Sequence, residues 1–371
     1  MKYCVISNIG PHYRWAIYNL ISKSFDCDFY FGKNERAIDN VKLFDYNRLQ
    51  GYKGTLKNRY LFGPLWYQKG MTRLVFKKYD AFVISGAPFC LSTWVFLIFS
   101  ILLRKKTIGW SHGILHNHSG LKRLIYKIYF SLFDRVMTYN ERSAHLLEKE
   151  GVDKNKLYVI ANSLNTDAHR ELRSILKTSC IYTEHFRNTN PIVLYCGRIQ
   201  RLKKLDQLLD AVSLLNNKEF FVNVIIIGAD SPDTDIRAMV KDRDLKEQVW
   251  VYGPCYNEED LGNLFFNADV CVSPGNVGLT AIHSLSFGCP VITNNNFDTQ
   301  MPEFEAIKPG ITGDFYEEDD INALASKIQN WIQSHKDKKE ATRVEAFAEI
   351  DRKWNIYHQV EIMKQVFVSI N

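Results

Sequence analysis

Short, almost wholly apolar runs recur along this chain, each closed by glycine, serine or a charged residue and followed by a stretch with helical spacing of apolar positions. Such runs predict buried strands of parallel α/β sheets. In the first half they predict strands at Lys2–Ile6, Cys27–Phe31, Tyr79–Gly86, Thr107–Trp110, Arg135–Tyr139 and Leu157–Ile160. Helices are predicted at Trp15–Ser24, Leu121–Leu132 and Ser143–Gly151. Leu91–Leu103 is a continuous apolar helix bounded by Arg104, Lys105 and Lys106. It falls short of the roughly 20 residues of a membrane span and reads as a buried helix. Asn40–Phe62, rich in Tyr and Lys, has turn signals and little periodicity, and reads as a mobile surface segment.

Asn165–Asn190 carries the polar interruptions of a connection, and a fresh series begins at Pro191. Ile192–Cys196 reads as a strand leading to a helix through Leu215. Strands follow at Phe221–Ile227, Val249–Tyr252 and Val270–Val272, then a helix at Leu279–Phe287 and a strand at Val291–Thr293. The expectation is an α/β chain of two Rossmann-like, doubly wound domains around a cleft. Residues 1–175 form the first and 176–350 the second, with a helix in 351–371 returning to the first. At 371 residues the chain exceeds one ordinary core, which agrees with two domains.

Composition narrows the class. Hydrophobic residues at 46% and charged residues at 24% are globular values. The eight cysteines lie mostly in apolar runs without a CxxC pair, so buried thiols in a reducing compartment are expected. MKYCVISNIG opens on a strand without signal-peptide features, giving the expectation of a cytoplasmic protein. Charge is unevenly spread. Up to Arg170 there are 26 Lys/Arg against 12 Asp/Glu, and after it 21 against 29. Together with the basic, amphipathic segment Leu121–Leu132, this makes an anionic membrane surface a candidate partner of the first half. No zinc-finger spacing or aromatic RNA-binding signature accompanies the charge, so nucleic acid is not an expected partner.

The candidate chemistry gathers at strand ends. Ser273–Thr293 reads as strand end, glycine-bearing loop, helix and strand, so free N–H groups at the helix start suit phosphate. Gly278 admits close approach there, and Thr280 adds a hydroxyl donor. After Ile192–Cys196 come Gly197, Arg198 and Lys203, a guanidinium fork and an ammonium placed to grip phosphate. In the first half, Thr107–Trp110 delivers Ser111, His112 and Gly113, and Gly10 follows the first strand. Gly10 opens no three-glycine nicotinamide fingerprint. His116 and His118 lack a carboxylate or Cys at ligand spacing, so no metal site is expected there.

In order and spacing, these residues resemble the retaining glycosyltransferases of family 4, which have the GT-B architecture. The resemblance covers nearly the whole chain. It is carried by Trp110-Ser111-His112-Gly113, Tyr195-Cys196-Gly197-Arg198 with Lys203, Ile226-Ile227-Gly228, Tyr252-Gly253-Pro254, Ser273-Pro274 with Gly278-Leu279-Thr280, and Gly288-Cys289-Pro290-Val291-Ile292. It implies that Arg198 and Lys203 hold the donor diphosphate. It also implies that Gly253, Gly278, Leu279 and Thr280 belong to the donor site, and that His112 meets the donor sugar with Gly10 allowing close approach. Two family glutamates that bind donor sugar and ribose are replaced by Gly275 and His283, and Lys204 stands where the family often has glycine. His283 can keep a ribose hydrogen bond, and Glu303 and Glu305 are candidate substitute carboxylates. The implied reaction moves a sugar from a nucleotide diphosphate, UDP ahead of GDP, to a glycan or lipid-linked acceptor in cell-surface polysaccharide synthesis. It proceeds with retention and without a metal or cofactor, the nucleotide sugar being a substrate. Alternatives are a nucleotide-sugar epimerase of the same fold and a non-catalytic glycan- or nucleotide-binding protein.

Overall fold

The apolar runs of the first half pair into one eight-stranded sheet in the computed structural model, which describes residues 1–34, 42–116 and 119–370. Its strands are β1 (Tyr3–Ser7), β2 (Cys27–Asn34), β3 (Tyr52–Tyr60), β4 (Trp66–Lys69), β5 (Ala81–Ser85), β6 (Lys106–Ser111), β7 (Arg135–Thr138) and β8 (Leu157–Val159). They lie in the order β4-β3-β2-β1-β5-β6-β7-β8, all parallel except β4, which runs antiparallel to β3. Alternate residues of β1 feed two cores. Tyr3 and Val5 pack with the helices Trp15–Ser24 and Ile356–Ser369, whereas Cys4 and Ile6 pack with Phe96 and Phe130 on the other face. The C-terminal helix is tied in by Phe367, stacked on Tyr3 at 3.8 Å, and by Ser369, whose hydroxyl accepts from Arg135 Nε at 2.9 Å.

A second sheet holds β9 (Ile192–Cys196), β10 (Asn223–Ile227), β11 (Val249–Gly253), β12 (Val270–Ser273), β13 (Val291–Asn294) and β14 (Gly313–Tyr316). All are parallel, in the order β11-β10-β9-β12-β13-β14. The chain thus divides into two compact units, Met1–Asn165 with the chain from Asn355 onward, and Thr166–Trp354. The division falls before residue 175 because the helix Thr166–Ile175 packs within the second unit, against the helices Glu258–Asn267 and Leu279–Ser286.

Three expectations change. Asn40–Phe62, of which residues 40–41 lie outside the described residues, contains the whole of β3; the strand is half-exposed near the sheet edge and so shows no continuous apolar run. The polar connection Asn165–Asn190 holds two helices, Thr166–Ile175 and Ile181–Phe186, whose polar outer faces hid their periodicity. The helix Leu91–Leu102 is buried along one face only.

Candidate functional site

In each sheet the strand order reverses once, between β1 and β5 and between β9 and β12. Loops at the carboxyl ends of strands diverge at such a point and leave a crevice. In the second unit the two loops are Gly197–Lys203 after β9 and Pro274–Gly278 after β12, where the sequence placed its cations and its helix start.

The second loop is held by buried amides and hydroxyls. Thr293 Oγ1 donates to Ser273 O at 2.8 Å, and Asn294 Nδ2 donates to Pro274 O at 2.8 Å and Gly275 O at 3.0 Å. Gln300 Oε1 accepts from Val277 N at 2.7 Å while its Nε2 donates to Thr293 Oγ1 at 3.0 Å. A network so complete fixes a loop in one arrangement before any ligand arrives. The helix Leu279–Ser286 then starts at Gly278 with no side-chain cap on its first turn, leaving backbone N–H groups directed out of the helix start. Thr280 does not donate outward: its Oγ1 proton goes to Cys196 O at 3.0 Å, tying the helix to β9 and leaving the oxygen only its acceptor capacity.

Lys203 lies in a 3-10 turn, Arg201–Lys203, rather than in the helix that follows it, Leu205–Asn217. Its Nζ donates to both Asn276 O and Asn276 Oδ1 at 2.7 Å, so one of its three protons stays available. Burial, then the neighbouring Arg198 charge, lowers its pKa to about 8 against the opposing pull of Glu303. Arg198 is exposed, its backbone fixed by Tyr195 OH donating to Arg198 O at 2.9 Å. Lys204 has a φ of 50°, the left-handed conformation that glycine adopts most readily, and its Nζ is anchored by Glu318 at 2.9 Å and Asp319 at 2.6 Å. Gly253 ends β11 at φ 90°, with open space where a Cβ would stand, so conformation rather than room calls for glycine.

Three glutamates stand on segments that meet the helix Leu279–Ser286. Glu303 is buried, its Oε2 4.0 Å from the Cβ position of Gly278 and near enough to Lys203 to favour the charged ammonium. Glu305 is half-buried, with its carbonyl accepting from Lys308 Nζ at 2.7 Å. The other carboxylate, Glu258, was not singled out from sequence. Its Oε2 accepts from His283 Nε2 at 2.9 Å and His169 Nε2 at 3.2 Å, and the two imidazoles stack 5.1 Å apart. His283 thus faces Glu258 directly. Burial opposes ionisation of Glu258, but the two imidazole hydrogen bonds prevail and hold it well below the usual carboxylate range. Burial pushes His169 down against the opposing Glu258 bond. Among the described residues this trio is also the group able to hold a metal ion. Glu258 stands in the acidic first turn of a helix capped by Asn257, which the sequence does display, but His169 is 89 residues away.

In the first unit a cavity opens at the ends of β1, β5 and β6, lined by Ser7, Asn8, Arg14, Ser85, Ser111 and His112. His112 keeps solvent contact at its mouth, yet its dense surroundings and the Arg14 charge push the imidazole down to about 4, so it is neutral at pH 7. The guanidinium of Arg14 lies over Trp110 at 5.4 Å and Tyr139 at 4.9 Å, and the His112 ring is 4.7 Å from that of Tyr139. Gly10 is not open to a ligand at its Cα: a Cβ there would lie 2.6 Å from Tyr46 and 2.8 Å from Phe44. Aromatic packing, with Tyr46 OH accepting from Gly10 N at 3.0 Å, requires the small residue. His116 lies among the described residues and His118 outside them.

Two parallel-sheet α/β units of this kind define the GT-B class of glycosyltransferase folds. Residues 183–349, within the second unit, match the family described as "Glycosyl transferases group 1". The chain is 29% identical over 197 residues to an uncharacterized 41.2 kDa protein in the cps region of Klebsiella pneumoniae, covering 52% of this chain and 51% of that protein. It is 33% identical over 107 residues to D-inositol 3-phosphate glycosyltransferase of Arthrobacter sp. (strain FB24), covering 27% of this chain and 25% of that protein. The matches therefore span about half and a quarter of these curated relatives' lengths. HepE of Anabaena, solved in complex with UDP, superimposes with a TM-score of 0.73 at 16% identity, covering 100% of this chain and 99% of HepE.

Proposed function

We propose that this chain transfers a sugar from a UDP-linked donor to a glycan or lipid-linked acceptor in the synthesis of a cell-surface polysaccharide, with retention and without a metal. The observation that carries this reading is the convergence of Arg198, Lys203 and the uncapped start of the helix at Gly278 on the β9/β12 reversal. Breaking the glycosidic bond to a diphosphate places negative charge on the departing oxygen. Fixed cations and N–H dipoles stabilise that charge more in the transition state than before it. The third proton of Lys203 and the guanidinium of Arg198 serve this end, while Glu303 keeps Lys203 charged. Glu258, oriented by His169 and His283, offers a carboxylate to donor hydroxyls, and His112 acts on the sugar as a neutral imidazole. HepE was solved with UDP, and the Klebsiella relative lies in a cps region, which supports the choice of donor and process.

The replaced family glutamates at Gly275 and His283 favour one second reading, a protein that binds nucleotide without turnover. A panel of UDP- and GDP-sugars, with released nucleotide and sugar transfer both measured, separates the two. Transfer from a UDP-sugar supports the proposal. Tight UDP binding with no turnover across donors and acceptors identifies a binding protein, and an isomerised donor formed without acceptor identifies an epimerase.

A further inference from the structure

The helix Leu91–Leu102 is apolar on its outer face as well as on its inner one, where Phe96 and Leu97 are fully buried. Its small polar residues Ser92, Thr93 and Ser100 are buried, whereas Val95, Ile98 and Leu102 are exposed on the outer face, Leu102 at 71%. The inner hydroxyls have partners, since Ser92 Oγ accepts from Gln68 N and Ser100 Oγ donates to Phe96 O, each at 2.9 Å. A helix whose outer face is wholly apolar is built to meet something other than water.

The exposed apolar surface continues beyond this helix. On one side the ring of Phe76, itself exposed, lies 5.6 Å from Phe99. On the other, Phe89 lies 6.3 Å from Tyr126 of the helix Gly120–Ser131, where Leu121, Leu124 and Ile128 are exposed at helical spacing. Cations predominate around this surface: residues 61–134 contain ten Lys/Arg against Asp80 and Asp134, and the structure adds Glu150, which pairs with Arg123 at 2.7 Å. At the end of the apolar helix, Ile101 borders a concavity of ≈ 550 Å³ lined by Arg104, Lys105, Lys106, Arg135 and Lys156 with one acidic residue, Asp134.

We propose that this face docks on an anionic lipid bilayer, its apolar side chains entering the boundary between headgroups and acyl chains and its cations meeting lipid phosphates. Among the described residues no helix is long and apolar enough to cross a membrane, so the attachment is to the surface. A bilayer supplies an apolar layer beneath a continuous sheet of negative charge, which matches an apolar patch with cations around it and needs no shape complementarity. A second copy of this chain would bring cations against cations. The inference rests on the first unit alone and holds whether or not the sugar-transfer reading does.

The test is flotation of the full chain at low salt with vesicles of phosphatidylcholine alone and of equal parts phosphatidylcholine and phosphatidylglycerol. Recovery with the anionic vesicles, weakened by salt, is the expected result. Ile98→Glu/Leu102→Glu, both on exposed side chains, should lower partitioning about tenfold or more, because apolar area is lost and charge must enter the interface. Arg104→Glu/Lys122→Glu should weaken binding to anionic vesicles without changing the weak binding to neutral ones. No recovery with either vesicle, equal recovery with both, or full anionic recovery by the Ile98/Leu102 variant would overturn the proposal. So would a stable dimer in gel filtration that this variant dissolves, since a second copy would then cover the face.

Discussion

Gly275 donates its backbone N–H to the carbonyl of Lys203 at 3.1 Å, and a Cβ on Gly275 would lie 2.1 Å from Leu202 O. The loop that carries Lys203 therefore rests directly on Gly275, the position where the family resemblance expects a glutamate. Restoring the carboxylate by Gly275→Glu should displace that loop rather than repair the site. The expected outcome is a loss of about 1–3 kcal/mol in stability, the usual cost of overpacking, together with weaker UDP binding. Thermal melting and calorimetry with UDP check both, and improved UDP affinity would contradict the account.

The strand skeleton of both units was legible because strands covered on both faces leave unbroken apolar runs, as in Val193-Leu194-Tyr195. β3, β4 and β14 were not, since partly exposed residues interrupt their short runs. At the site, Arg198 and Lys203 were readable as cations just after a strand. The Glu258 contact was not, because it joins residues 89 and 25 positions apart and follows from helix packing rather than local spacing. Gly10 misled for a related reason: glycine after a strand suggests a ligand, but here it makes room for Tyr46 and Phe44.

Arg198 and His112 should show separable defects. Arg198→Ala is expected to reduce UDP affinity and to cost roughly 10²-fold or more in turnover, the typical loss for a positioned donor to a developing anion. His112→Ala should leave free UDP binding intact and reduce transfer. Calorimetry and a transfer assay on variants with unchanged circular dichroism check the separation. Wild-type binding and turnover by Arg198→Ala, or parental transfer by His112→Ala, would refute these roles.

Lys203 sets a pH dependence. With its pKa at about 8, it carries its charge at pH 7 and sheds it as pH rises past 8, so UDP affinity should fall between pH 7 and 9. In Lys203→Arg the charge persists and the fall should flatten. Its stability effect runs the other way. From its folded value of about 8 up to the ordinary value of 10.5, the unfolded chain holds the extra proton, so this group's contribution to stability rises with pH across that window. Calorimetric titrations with UDP at several pH values, set beside melting of the apoprotein, check both signs.

The trio of His169, Glu258 and His283 allows two chemistries. Both imidazoles meet the same oxygen, Glu258 Oε2, at 3.2 Å and 2.9 Å, which are hydrogen-bond distances and also separations that two ligands of one metal ion can have. The hydrogen-bonded reading has a physical advantage. Two N–H donors keep Glu258 ionised at one oxygen, and the side chain, 49% exposed, can still offer the other to a hydroxyl pair. Glu258→Gln and His283→Ala should then each weaken UDP binding by about 1 kcal/mol, the net worth of one hydrogen bond, with a smaller loss for 2′-deoxy-UDP. Equal losses for both nucleotides would assign the pair to packing. Treatment with a chelator should leave transfer unchanged; loss of transfer restored by zinc, and abolished in His169→Ala, would make the trio a metal site instead. Acid provides an independent check. His169 and Glu258 are both shifted downward, so each contributes stability that is present above its unfolded value and lost as pH falls, His169 below about 6.5 and Glu258 below about 4.3. His169→Phe should remove the first of these losses, so a melting profile between pH 7 and 5 as steep in that variant as in the parent would rule out a buried neutral His169.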